Sequence, residues 1–364
     1  MITRLVTSFL FASLLAGQQA PESASREAIQ HLQTGVELEK RGDLDNAIKE
    51  FSDATRISPN YEMGFLNLGD AYMKKGEYGK AIAPLNKAAE LNPDSPTTQR
   101  LLGFALLSQG YAANAIPHLE RVREYGALGI AQMESGKYSE AVASLQAALA
   151  KTPNDPDLLY YLARASEGLS SQSMDSLLSA FPGSARAHQA MAQHYFSTKD
   201  TAKAEQEYEQ AIRMRSDLPG VRLELGEVYA SVSDWPKAEQ LFRQETQIQP
   251  GSAEAAFRLG DALMKQGKMK EAVSELQRSD ELHPDMPETL YDLGKSALNL
   301  QPPEAERALL RVTELEKETL LASQAYQALS VLHRKQGKTE LASKELQEFQ
   351  RIQSLLQNNL AKSN

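Results

Sequence analysis

Small, apolar and punctuating residues recur along this chain at one fixed interval of about 34 residues, a length suited to a stacked helix-pair unit. Gly35 recurs as Gly69, Gly42 as Gly76, Ala47 as Ala81, Ala54 as Ala88 and Pro59 as Pro93, and Phe51 is answered by Leu85. Within one unit the pattern predicts a first helix through Gly35 to Leu38 and a second through Ala47 to Ala54. Gly42 stands between them, where glycine can take the left-handed conformation that ends a helix. Gly35, Ala47 and Ala54 let the two helices approach closely, while Leu38 and Phe51 fill the seam beside them. Pro59 cannot continue the second helix and marks the turn into the next unit. The predicted product is an antiparallel helix pair that must stack on its neighbours to bury its apolar face.

Followed along the chain, the pattern places repeats one and two at Ala28–Tyr61 and Glu62–Ser95, and repeat three continues in phase through Gly103, Gly110, Ala115 and Leu119. The phase then breaks. Gly129 follows Gly103 well short of a full period. The missing residues predict a first helix of about two turns, with Tyr125-Gly126 as the turn before it. Ala163 is in phase with Gly129, but Ser170 to Ser173 replaces the next turn and Met174 to Ala180 reads as a stunted second helix. The period returns at Ala192, Gly226, Gly260 and Gly294, each a full period after the one before. Repeat nine is one residue shorter, with Pro302-Pro303 opening its second helix. Repeat ten keeps Leu329, Gly337 and Ala342, and Arg351 to Lys362 reads as a polar capping helix. The expected organisation is residues 28–122 as an N-terminal block of repeats one to three and 123–184 as two irregular, shortened repeats. A C-terminal block follows at 185–356, with the cap reaching about residue 362. The irregular segment is expected to be a weak joint between regular halves, unless Tyr160, Tyr161, Leu177 and Phe181 plug the gap.

Phe65, Leu68-Gly69, Tyr72, Ala81, Leu85, Ala88 and Pro93 together resemble the motif of the tetratricopeptide repeat (TPR) family, and the resemblance covers nearly all of the chain after about residue 25. It implies an all-α fold, a right-handed α-solenoid of about ten TPR helix pairs with two shortened repeats in the middle. It also implies a non-enzymatic scaffold that binds a protein or peptide in a concave groove lined by the first helices. In the N-terminal block the residues expected to face that groove are Leu32, Val36, Leu66, Asp70, Met73, Phe104 and Leu107. In the C-terminal block they are Phe196, Glu227, Phe257, Asp261, Met264, Tyr291 and Lys295. Exposed Met and aromatic side chains suit adaptable peptide binding; the alternative is that the superhelix fills its own groove and some of these belong to the core. Some TPR domains clamp a chaperone's C-terminal carboxylate with Lys and Asn. Leu32 and Val36 stand at those positions here, and Asn67 and Arg100 match single elements only, so that activity is not carried over.

Composition narrows the partner. Forty-eight acidic residues against 39 basic ones give a net charge of −9, the wrong sign for a nucleic-acid stripe. Cysteine is absent, which removes disulfides, thiolate metal sites and a cysteine nucleophile. No two of the six histidines stand at the i,i+4 spacing of a metal helix. His31 and His188 occupy the position of the family's large aromatic and read as packing residues. Gly337-Lys338-Thr339 ends like a phosphate loop, but its first glycine would fall at Leu332. No catalytic residue, metal site or cofactor is expected.

The N-terminus differs from everything after it. Arg4 precedes an apolar run from Leu5 to Ala16, and small residues follow at Gly17 and Ala20, the layout of a secretory signal peptide over residues 1–20. The run is too short to span a bilayer comfortably. With residues 21–27 as a linker, the expectation is an exported protein of the periplasm or cell envelope with no membrane span once the signal is removed. The alternatives are an anchor by an uncleaved N-terminus, a subunit of an envelope assembly such as polysaccharide-export or pilus complexes, and a cytoplasmic adaptor.

Overall fold

The computed structural model describes residues 24–363; the predicted signal peptide lies outside the described residues. All nineteen regular elements among them are α-helices. The chain divides into two compact units, Met1–Asp175 and Ser176–Asn364.

The first unit holds α1 (Arg26–Lys40), α2 (Leu44–Ile57), α3 (Glu62–Lys75), α4 (Tyr78–Leu91), α5 (Pro96–Ser108), α6 (Ala112–Val122), α7 (Tyr125–Glu134), α8 (Tyr138–Leu149) and most of α9 (Pro156–Ala180). Helices α1 to α8 form four consecutive pairs. The seam of each pair is a glycine on the first helix facing a large residue on the second. A Cβ added at Gly35 would stand 2.5 Å from the Phe51 ring, one at Gly69 2.5 Å from Leu85, one at Gly103 2.6 Å from Leu119 and one at Gly129 2.5 Å from Leu145. The predicted linker ends sooner than expected, because Ser25 caps α1 by accepting a hydrogen bond from the Ala28 amide at 3.1 Å.

Two features of repeats four and five differ from expectation. The turn before α7 is Arg123-Glu124, not Tyr125-Gly126: Arg123 takes the left-handed conformation at φ 54° and Tyr125 already opens the helix. Helix α7 has ten residues, nearly three turns at about 3.6 residues per turn. Its Ala127, Leu128, Ile130 and Ala131 are buried in one core cluster with Leu85 and Leu102 of repeats two and three. The lost residues shorten the repeat without interrupting its core.

Helix α9 replaces the predicted fifth pair with a single helix of 25 residues. Neither Gly nor Pro lies between Leu169 and Phe181, so nothing in the serine run stops the helix before Pro182. The Ser173 hydroxyl donates to the Leu169 carbonyl at 2.8 Å, meeting its needs within the helix. The expected small position Ala163 is exposed; Ala165 is buried instead, and Gly168 faces the Tyr138 ring. Among the described residues the nineteen helices thus pack in successive pairs, close to the expected number, with α9 as one continuous helix in place of the fifth pair.

The second unit holds the remainder of α9, then α10 (Ala185–Ser197), α11 (Thr201–Met214), α12 (Val221–Ser231), α13 (Trp235–Ile248), α14 (Ala253–Lys265), α15 (Met269–Leu282), α16 (Pro287–Ala297), α17 (Pro302–Leu315), α18 (Leu320–Lys335) and α19 (Thr339–Ser363). The same seam recurs. Gly226 faces Phe242, and a Cβ at Gly260 would stand 2.6 Å from Leu276. A Cβ at Gly294 would stand 2.5 Å from Leu309 even though repeat nine has lost a residue. The shortening falls in the last turn of α16, which ends at Ala297, three residues after Gly294, and Pro302 lies at the start of α17 as predicted. The expected cap is the second half of α19, continuous with the last repeat and anchored by buried Ala342 and Ile352. No helix among the described residues is long and apolar enough to cross a membrane.

Candidate partner-binding groove

In the second unit three of the first helices present positions one or four residues after the small seam residue, one turn apart, to a shared hollow. Phe196 follows Ala192 by one turn, while Glu227 and Asp261 directly follow Gly226 and Gly260. Together with Trp235, which opens α13, and Phe242, these residues line an open hollow of about 370 Å³. Arg258 completes the wall. A second hollow of about 430 Å³ shares Phe196 and Ser231 and runs along Lys199, Thr201 and Val232. Hollows of this size suit a large side chain or a short run of backbone.

Aromatic and charged side chains share the lining of the first hollow. Arg258 pairs with Glu227 at 3.0 Å and with Glu254 at 2.7 Å. The Lys265 ammonium lies 5.9 Å from the centre of the Trp235 ring and 3.8 Å from Asp261. Lys295 lies 5.3 Å over the Tyr291 ring. Burial raises the Glu227 carboxyl above the usual range despite Arg258. Asp292 on α16 is pushed up to about 6, first by burial and then by the charge of Asp261.

The residues expected from the sequence separate into two groups. Leu32, Met73, Phe104 and Leu107 are buried, each at most 5% exposed, so they are core residues and not groove surface. The reason is local. Leu101, Leu102, Phe104, Ala105, Leu106 and Leu107 of α5 are all buried, and a helix apolar all round keeps no face for a partner. Met264 is also buried, at 8% exposure. Val36 and Leu66 are half-buried against the first unit's core clusters, and Asp70 holds Lys74 at 2.7 Å. Phe196, Glu227, Phe257, Asp261 and Tyr291 keep part of their surface open, and Lys295 is exposed. Phe196, Glu227 and Asp261 meet in the first hollow with Trp235.

Sequence reading missed Trp235, Arg258 and Asp292. Arg258 and Asp292 each precede a seam glycine by two residues, one helical turn from the chosen positions Asp261 and Lys295. The signal was a column of charge at the repeat period, Glu224, Arg258 and Asp292. His31 and His188 are half-buried as expected of packing residues, and each also bridges its helix pair, to Glu50 and Glu207, at 2.6 Å. Among the described residues no group of three His, Cys, Asp or Glu side chains could hold a metal ion.

Sequence profiles described as TPR repeat match residues 35–76, 69–110 and 129–168, and others described as tetratricopeptide repeat match 185–218 and 231–298. Together they cover more than half of the chain, which belongs to the tetratricopeptide repeat family of protein-binding scaffolds. Comparison with curated proteins finds no match. Among solved structures the chain is similar to YrrB, described as a TPR protein with an unusual peptide-binding site, at 21% identity and TM-score 0.46, over 50% of this chain and 92% of that one. It is similar to MamA from Desulfovibrio magneticus RS-1 at 18% identity and TM-score 0.44, over 47% and 95%. It is similar to yeast Tom70 at 13% identity and TM-score 0.38, over 92% and 95%.

Proposed function

We propose that this protein is a non-enzymatic scaffold that holds an extended segment of a partner protein against the first helices of its second unit. The observation that carries the reading is the hollow between Phe196, Trp235 and Phe242. Phe196 and Trp235 pack against a completed core yet keep part of their rings open. Such half-open aromatics supply large contact area at low entropic cost and are the usual anchors of a binding surface. The first unit uses its corresponding apolar residues in its own core. A library of random dodecapeptides displayed on phage, selected against the full chain, tests the reading. Selected peptides should bind saturably and lose at least tenfold in affinity to Phe196→Asp, with helical content unchanged. Recovery of no peptide that depends on Phe196 would sink it.

We further propose export to the cell envelope, supported by Arg4 followed by the apolar run Leu5 to Ala16. N-terminal sequencing of protein from its native host should begin between Gly17 and Ser23. An intact Met1 on soluble cytoplasmic protein would exclude export.

A further inference from the structure

Beside the first hollow and Asp292 the cations are engaged by the groove's own residues, while the anions are not all matched. Arg258 is shared between Glu227 and Glu254 at 3.0 and 2.7 Å. Lys265 leans on Asp261 and the Trp235 ring, and Lys295 lies over Tyr291. Asp292 is half-buried, yet among the described residues no hydrogen bond or ion pair holds its carboxylate. The charges that act on it are Asp261 and Lys265 from α14 and Lys295 and Glu288 from its own helix, and Tyr291 adjoins it. Burial and Asp261 disfavour its charge more than the two lysines favour it. A carboxylate kept in this state gains most from a cation delivered from outside, because that cation arrives where solvent screens it less. Asp261 also lines the aromatic hollow, so the unmatched charge and the apolar cavity are adjoining parts of one surface.

We propose that the groove of the second unit selects an extended segment carrying a Lys or Arg side chain that reaches Asp292 and Asp261, next to a large apolar side chain that enters the hollow between Phe196 and Trp235. The inference rests on the groove reading above and gives the partner its chemistry. An acidic C-terminal tail, which a Lys/Asn clamp would hold, is repelled here by the same carboxylates. A basic partner is also steered toward a chain of net charge −9.

The dodecapeptides selected on the full chain supply the test. They should be enriched in Lys or Arg near an aromatic or aliphatic residue. Replacing that basic residue by Gln should cost at least tenfold in affinity, as should Asp292→Asn. That variant barely changes side-chain volume and should keep the fold, checked by its melting curve. Binding should also weaken as pH falls from 7.5 to 5 in the parent chain and lose this dependence in Asp292→Asn. Peptides that need Phe196 but carry no basic residue, or that bind Asp292→Asn unchanged, would overturn the charge assignment and leave the groove reading standing. Failure to recover any Phe196-dependent peptide would overturn both.

Discussion

Gly35 and Phe51 occupy one volume: a Cβ on the glycine would lie 2.5 Å from Cε1 and 2.7 Å from Cδ1 of the ring. Two effects of Gly35→Ala oppose each other. Alanine is better than glycine in a helix by about 1 kcal/mol, and overpacking a filled seam costs typically about 1–3 kcal/mol. The ring is fully buried and cannot retreat, so the substitution should destabilise. In a Phe51→Ala background the obstruction is gone and the same change should stabilise. Urea or thermal melts of the four variants check the reversal of sign, and additive effects would contradict the close contact.

This relationship explains what was legible from the sequence. Gly35 and Phe51, Gly69 and Leu85, and Gly260 and Leu276 share one sequence spacing, and that spacing is a packing requirement written into residue size. Helix α9 was less legible because its serine run imitates a turn, while serine only weakly favours one and no Gly or Pro enforces it. The groove was half legible. Repeat register finds Phe196, Glu227 and Asp261, but it treats every repeat alike. It could not say that α5 would bury its whole circumference or that Asp292 would be left without a cation.

Glycine has a second task in the same repeat. Gly267 ends α14 at φ 75°, and a Cβ there would meet nothing within 4 Å. The cost of Gly267→Ala is therefore conformational alone. The left-handed region penalises a Cβ by roughly 1–2 kcal/mol, partly offset by a stiffer unfolded chain. A net loss of about 1 kcal/mol is expected, and Gly267→Asn should lose less because Asn tolerates this conformation. Lys199 and Ser233 hold the equivalent turns at φ 64° and 61°. Ser233→Gly should be neutral to mildly stabilising for the same reason. Equal losses for the Ala and Asn variants in chemical denaturation would argue against a backbone origin.

Asp292 should act against stability where it acts for binding. Its carboxyl is raised in the folded chain to about 6, from an ordinary 3.8. The folded state therefore binds this proton more tightly than the unfolded state. Below the unfolded value both states are protonated and the group costs nothing; the penalty grows as pH rises and is complete above the folded value. The gap between the two values corresponds to roughly 2–3 kcal/mol. Asp292→Asn should melt above the parent at pH 7.5, by a margin that shrinks between pH 6 and 4 and vanishes below. A margin independent of pH would assign the effect to packing instead.

The two irregular repeats should differ in local stability. Helix α7 is short, but Ala127, Leu128, Gly129, Ile130, Ala131 and Gln132 are all buried, so opening it would expose a contiguous part of the first unit's core. In α9 nothing after Ala165 is fully buried, and Ser170 to Ser176 are all exposed. That stretch carries four serines, each a poorer helix former than alanine, and has little tertiary burial to offset the cost of ordering its backbone. Local opening is least costly where few apolar contacts are lost. Amides of Ser170–Ala180 should therefore exchange with deuterium much faster than those of Ala127–Gln132, which should match α5. Replacing Ser171 and Ser173 by Ala should slow exchange in α9 without altering α7. Equal protection of the two segments would argue against low burial as the source of local opening in α9.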